Sequence, residues 1–205
     1  GRGGGNLNAN STAGLDALAA NTTGQYNTAV GSGALKSNTT ADNNTAVGHE
    51  TLKNNIGGAG NTALGRLALA NSSSNNNTAI GYCSTVGGGN DNIAIGYYSA
   101  IGGGYYNVAN GYNSTIGGGR HNTSSGHCST IGGGYCNTSN GQISTIGGGR
   151  HNNSDGCFST VGGGCCNTSS GPFSGILGGQ YNSTNTCEKA MIVGSNITAN
   201  RVCTT

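Results

Sequence analysis

The sequence predicts an all-β chain: a parallel β-roll or β-solenoid of about 11–12 coils, with a 17-residue and then a 15-residue period. Three observations predict it. An internal repeat covers nearly the whole chain, each repeat places a short aliphatic segment beside glycine, and 205 residues contain one proline. Fifteen residues are too few for a βαβ unit or a helical-hairpin repeat. Each 15-residue coil is therefore interpreted as two short strands and two tight turns, with glycine supplying positive φ in the turns.

The repeats divide the chain into four segments. Residues 1–9 are a Gly/Asn-rich lead-in, and residues 10–81 carry the motif Asn-Thr-Ala-aliphatic-Gly at a 17-residue spacing, accompanied by Gly-x-x-x-Leu. Residues 82–182 repeat every 15 residues, with one Ser column from Ser84 to Ser174 and one Asn column from Asn92 to Asn182. We expect both columns to form side-chain ladders along the stack. Residues 183–205 break the period and are predicted to form a C-terminal cap.

Paired apolar residues in the strands favour an assembly of several chains. Ala29-Val30, Ala46-Val47 and Ala63-Leu64 place apolar residues on both faces of a strand, because neighbouring side chains point to opposite sides. Each later coil offers about one Ile or Val, worth roughly 1.5–3 kcal/mol, whereas ordering a backbone costs roughly 1–2 kcal/mol per residue. We therefore expect a homo-oligomer or a longer filament. The alternative is a monomer with an exposed apolar face.

The motifs resemble the head repeats of trimeric autotransporter adhesins and the related fibres of phages and large DNA viruses. The resemblance lies in Asn-Thr-Ala-Val-Gly with Gly-x-x-Ala-Leu at residues 27–35, in its three later copies, and in the Ser-Thr-Ile-Gly-Gly-Gly runs between residues 114 and 149. It covers roughly residues 10–182, and it implies a trimer of left-handed parallel β-rolls that serves as a stalk or adhesive surface. The sequence departs from the family in its eight cysteines and in the Thr-Ser-Ser-Gly segments of the 15-residue coils.

Composition and charge argue against several function classes. A formal net charge of +2 gives no reason to expect nucleic acid as a partner, and no apolar run approaches the ~18 residues of a membrane span. The six acidic residues are scattered over different coils, so we expect no enzyme and no cofactor. His121 and His151 share a column but lie two coils apart, roughly 9.6 Å, so we expect no metal site.

The cysteines and the first residue of the sequence suggest where the protein is located. Its eight cysteines favour an oxidising environment, and Cys187 and Cys203, about one coil apart, are a candidate disulfide for the cap. Cys157, Cys165 and Cys166 are candidates for bridges between turns or chains. The chain starts at Gly1, which we interpret as processing or as origin in a longer protein. We therefore expect an extracellular location, on a virion surface or a cell-surface appendage.

Asn-x-Ser/Thr sequons are dense, as expected for a chain rich in Asn, Ser and Thr. The Asn column is interpreted as buried ladder positions. Asn113 and Asn196 lie outside that column and are the better candidates for glycosylation.

Two variable residues follow each Gly triplet, and in several coils they are Tyr, Arg or His. Tyr and Arg are frequent interface anchors, so these positions form a candidate binding stripe: Tyr105, Tyr106, Arg120, His121, Tyr135, Arg150 and His151. The leading functional hypothesis is a structural fibre or shaft module, with adhesion along its sides. One alternative is a module that binds a cell-surface glycan or receptor through the stripe. Another is an ice-binding solenoid, based on a threonine column: Thr85, Thr115, Thr130, Thr145 and Thr160.

Overall fold

The computed structural model describes residues 9–71 and 74–200, which contain strands and turns and no helix. The chain forms two compact units, and the boundary between them falls after Gly104. In each unit the strands are parallel, and residues one repeat apart pair in register. The predicted all-β solenoid is therefore confirmed.

The first unit contains eight short strands. The first five lie at the Asn-Thr-Ala motifs: β1 (Ser11–Ala13), β2 (Thr28–Val30), β3 (Thr45–Val47), β4 (Thr62–Leu64) and β5 (Thr78–Ala79). β6 (Thr85–Val86), β7 (Ile93–Ala94) and β8 (Ala100–Ile101) follow. One ladder runs β1-β2-β3-β4-β5-β7, and β6 pairs with β8.

The second unit contains eleven strands in two alternating ladders. One ladder consists of β9 (Val108–Ala109), β11 (Thr123–Ser124), β13 (Thr138–Ser139), β15 (Asn153–Ser154) and β17 (Thr168–Ser169). The other consists of β10 (Thr115–Ile116), β12 (Thr130–Ile131), β14 (Thr145–Ile146), β16 (Thr160–Val161), β18 (Gly175–Ile176) and β19 (Met191–Ile192). Each 15-residue coil thus supplies two strands, as the sequence predicts. The pairing of β19 with β18 shows that the C-terminal segment adds one more coil, at residues 190–194.

The 17-residue coils differ from the 15-residue coils, because each has one strand and a long turn segment. A leucine in that segment is buried in every coil and adopts left-handed backbone geometry, at φ 55° for Leu18, 49° for Leu35, 50° for Leu52 and 49° for Leu69. A left-handed residue costs roughly 1–2 kcal/mol. Burial of a leucine contributes roughly 1.5–3 kcal/mol, so burial offsets the strain.

The core is narrow and consists of facing columns. In the second unit the isoleucines and valine of the β10 ladder are at most 4% exposed and fill one side. On the facing side, the first coil has Ala109 and the later coils have a serine at the same position. All of these residues are buried: Ala109, Ser124, Ser139, Ser154 and Ser169. These serines replace the second apolar residue of the coil. They remain compatible with burial because each hydroxyl pairs with a serine hydroxyl of the facing column, at 2.6–2.7 Å.

The hydrogen bonds between facing serine hydroxyls should contribute to the stability of the fold. Ser144 Oγ lies 2.6 Å from Ser139 Oγ and donates to the carbonyl oxygen of Gly141 at 2.7 Å. Ser114 faces Ala109 instead, and its buried hydroxyl has no partner. We expect Ser144→Ala to lower the free energy of unfolding by about 1–2 kcal/mol, because it removes the partner of the buried Ser139 hydroxyl. Ser114→Ala removes an unpaired hydroxyl and should leave stability unchanged or raise it. Urea titration followed by circular dichroism measures both, and equal losses would refute the pairing argument.

The asparagine column is the main polar element of the core, and its predicted ladder is confirmed. Asn137 illustrates the repeat: its Oδ1 accepts a hydrogen bond from the backbone N–H of Asn152 at 3.0 Å, and its Nδ2 donates to the carbonyl oxygens of Gly133 and Gly149 at 3.0 and 2.9 Å. Nδ2 also donates to Asn122 Oδ1 at 3.1 Å. One side chain therefore ties its own coil to the coils before and after it.

Candidate binding surface of the second unit

The turns after the Gly triplets align the residues of the candidate binding stripe from one coil to the next. The first residue after each Gly triplet forms a parallel bridge to its equivalent one coil away, so Tyr105, Arg120, Tyr135 and Arg150 follow one another along the surface. The second residue, such as His121 at φ 56°, has left-handed geometry. The sequence interpretation assigned positive φ in the turns to glycine alone. That was incomplete, because the turn also requires it of this second, non-glycine residue in each coil.

Arg120 lies between two tyrosines of the stripe. Its Cζ is 5.4 Å from the ring centroid of Tyr105 and 6.0 Å from that of Tyr135. All three residues are exposed. Each cation–π contact at an exposed site contributes roughly 0.5–1 kcal/mol. The two contacts hold the guanidinium between aromatic rings while its edge remains accessible to a ligand.

The histidines join the second column of turn residues to the first. His121 stacks on Tyr106 with ring centroids 5.2 Å apart and an interplanar angle of 6°, and it meets Tyr135 edge-on at 6.0 Å. His151 contacts the other side of Tyr135 at 5.4 Å. The structure thus brings all seven predicted stripe residues onto one surface. Among the described residues, no three His, Cys, Asp or Glu side chains are grouped so that they could hold a metal ion.

The stripe ends in a feature that the sequence interpretation did not combine with it. Cys165 Sγ lies 3.7 Å from Arg150 Nη2 and 2.9 Å from Cys166 Sγ. The hydrogen bond from Cys166, together with Arg150, lowers the pKa of Cys165, and the same hydrogen bond raises the pKa of Cys166. The contact with Cys165 raises the pKa of Arg150. The sequence did contain a signal for this contact, because Cys165 occupies the same turn position as Tyr135 and Arg150 in earlier coils.

In chemical terms the surface offers aromatic faces, two guanidinium groups and imidazole nitrogens. Tyrosine rings stack on planar or C–H-rich ligand faces, and guanidinium groups donate several hydrogen bonds. This combination is suited to binding.

The candidate glycosylation sites differ in accessibility from the sequons of the asparagine column. Asn113 and Asn196 are exposed in turns, at φ 53° and 60°. Asn122 and Asn182, in the asparagine column, are at most 1% exposed and engaged in ladder hydrogen bonds. Glycosylation of Asn113 and Asn196 stays a prediction.

The candidate disulfide has one member in the described part of the chain. Cys187 is buried, has a free thiol and donates to the carbonyl oxygen of Ala199 at 3.3 Å. Cys203 lies outside the described residues.

The threonine column lies on outward positions of the β10 ladder. Thr115, Thr130 and Thr145 pair in register there, and Gly175 ends the series after Thr160. In the first unit Ala100 pairs with Thr85 and interrupts the column.

In the part of the chain that the structure describes, no helix has the length and hydropathy to cross a bilayer. No protein-family model matches the sequence, and no curated protein shows significant similarity to it.

Proposed function

We propose that this chain is a structural module of an extracellular fibre, the shaft of a cell-surface appendage or of a virion fibre, and that it acts as a homo-oligomer. Its role is mechanical rather than catalytic. The observation that supports the proposal most is the in-register stacking within each unit, where backbone ladders and the asparagine column connect every coil to the next. Such a stack resists local opening, because each coil is bonded on two sides.

An apolar stripe on the first unit supports the oligomer. The buried alanines of its strands are each followed by an outward-pointing aliphatic residue, and we call these residues the outer aliphatic stripe: Val30, Val47, Leu64, Ile80 and Ile95. Four of them are 39–45% exposed. In the second unit the corresponding positions are polar: Asn110, Ser125, Asn140, Asp155 and Ser170. The contrast supports the proposal that copies of the chain meet through the first unit.

We propose a homotrimer, in line with the resemblance of the Asn-Thr-Ala-Val-Gly repeats to trimeric adhesin heads. Three copies that bring their outer aliphatic stripes together around an axis would remove these side chains from water, each contributing about 1 kcal/mol. Closed rotational symmetry allows every copy to use the same surface.

The oligomer is tested by measuring mass in solution. We expect sedimentation equilibrium to give three chain masses for the natural sequence. The double variant Leu64→Asn, Ile80→Asn should give one, with its β-sheet circular dichroism unchanged, because both side chains point outward. Thr130→Asn with Thr145→Asn is the matched control on the second unit. A monomeric natural chain, or a trimer that persists in the double variant, would refute the proposed interface.

A second role, glycan or receptor binding, is supported by the arrangement of Arg120 between Tyr105 and Tyr135. Rigid aromatic anchors bind with little loss of side-chain entropy. We expect Arg120→Ala or Tyr135→Ala to weaken binding to a glycan array by about tenfold or more. Gln142→Ala, in the other turn of the coil, should leave binding unchanged. If all variants bound alike, or the natural chain bound nothing, the stripe would have no recognition role.

A further inference from the structure

Two adjacent thiols, Cys165 and Cys166, occupy the turn positions that hold Arg150 and His151 in the preceding coil. The backbone of Cys165 forms parallel bridges to Arg150 and Gln180, and Cys166 has left-handed geometry with φ 58°. Both residues are partly exposed and both thiols are free, with their sulfurs 2.9 Å apart. The fold therefore holds the two sulfurs against each other at an accessible site.

The two thiols are in different electrostatic environments. The Cys166 thiol and the Arg150 guanidinium 3.7 Å away both lower the pKa of Cys165. The pKa of Cys166 is raised, because Cys165 beside it favours the protonated form. Cys165 is accordingly the better nucleophile, since the thiolate is the reactive species. Cys166 retains its proton until the second step of an exchange reaction.

We propose that Cys165 and Cys166 form a reversible redox site, which reacts with small-molecule disulfides and closes into a disulfide between the two adjacent residues. In the first step the Cys165 thiolate attacks one sulfur of the small disulfide, forming a mixed disulfide and releasing one thiolate. In the second step Cys166 loses its proton and attacks Cys165 Sγ, releasing the second thiolate. The two protons from the cysteines end on the two released thiols, and two electrons pass to the small disulfide.

The covalent geometry makes this disulfide easy to reduce. The Cα atoms of adjacent residues are about 3.8 Å apart across a trans peptide, whereas ordinary disulfides join Cα atoms about 4.4–6.8 Å apart. A disulfide outside that range is strained, and strained disulfides are the labile ones. Oxidation would also remove the thiolate that faces Arg150 at the end of the binding stripe. The site does not depend on the proposed fibre role.

Intact-mass spectrometry tests the chemistry. In a chain whose other six cysteines are replaced by serine, we expect oxidised glutathione to produce a species lighter by two hydrogens, with no glutathione attached. Dithiothreitol should reverse it. With Cys166→Ser added, the reaction should stop at the mixed disulfide on Cys165. Differential alkylation and peptide mapping of the unsubstituted chain give the same information without relying on the serine background.

The reaction rate tests the contribution of Arg150. We expect Arg150→Ala to slow the reaction of Cys165 with oxidised glutathione about two- to fivefold, the range for an exposed charge pair. Arg120→Ala is the matched control, because it removes the same charge from the same column two coils away and should leave the rate unchanged. Covalent dimers, a stable mixed disulfide in the chain that retains Cys166, or equal rates in the two arginine variants would each overturn the proposal.

Discussion

Replacing Gly164 by alanine should prevent coils from stacking, whereas the same change at the neighbouring Gly163 should be harmless. Gly164 has φ 87°, and a Cβ there would overlap the carbonyl oxygen of Gly179 in the next coil. Left-handed geometry costs alanine roughly 1–2 kcal/mol, and separating the coils adds to that. We expect Gly164→Ala to lower the free energy of unfolding by at least about 3 kcal/mol.

Gly163 is the matched control within the same Gly triplet. A Cβ at Gly163 would meet no atom within 4 Å, and its backbone is not left-handed. We expect Gly163→Ala to change stability by less than about 1 kcal/mol. Thermal unfolding followed by circular dichroism compares the two variants. If both lowered the melting temperature equally, close approach of the coils would not be the reason for the third glycine of the triplet.

The second large effect is expected for the asparagine column. Asn137→Ala removes the acceptor for the Asn152 N–H and the donors to the carbonyl oxygens of Gly133 and Gly149. Each buried group left unpaired costs about 1–3 kcal/mol. We expect a total loss of about 3–5 kcal/mol in the free energy of unfolding, larger than that for any single serine of the core.

Asn140, in the same coil, provides the control for the asparagine prediction. It is exposed, and its side chain donates to Asp155 Oδ1 at 2.9 Å. We expect Asn140→Ala to cost less than about 0.5 kcal/mol. Urea titration measures both variants. A small effect of Asn137→Ala would mean that backbone pairing alone holds the coils together.

Much of this fold could be predicted because the repeat reports spatial neighbours directly. A fixed spacing of 15 residues identified Thr130 and Thr145 as neighbours, and the alternation of side chains placed Ala29 and Val30 on opposite faces of their strand. The asparagine column was predictable because an amide is the side chain that can both donate to and accept from stacked backbones. The fold therefore followed from periodicity and elementary strand geometry.

The remaining details depend on contacts that periodicity does not encode. Nothing in the sequence signalled a left-handed Leu35, because bulky residues rarely adopt that conformation. The unpaired hydroxyl of Ser114 depends on which residue faces it across the core. In the candidate site, the column predicted which residues share a surface. The contact between Arg150 and Cys165 was missed, because cysteines were considered only as disulfide partners.

Engineered cysteine pairs test most directly the claim that residues one repeat apart lie on neighbouring strands. In a chain with its natural cysteines replaced by serine, Thr130→Cys with Thr145→Cys places the two residues on paired strands, with Cα atoms about 4.8 Å apart, within disulfide reach. Thr115→Cys with Thr145→Cys places them two coils apart. The account predicts rapid intramolecular disulfide formation in the first pair and none in the second. Equal cross-linking of both pairs, or cross-linking of the second alone, would contradict it.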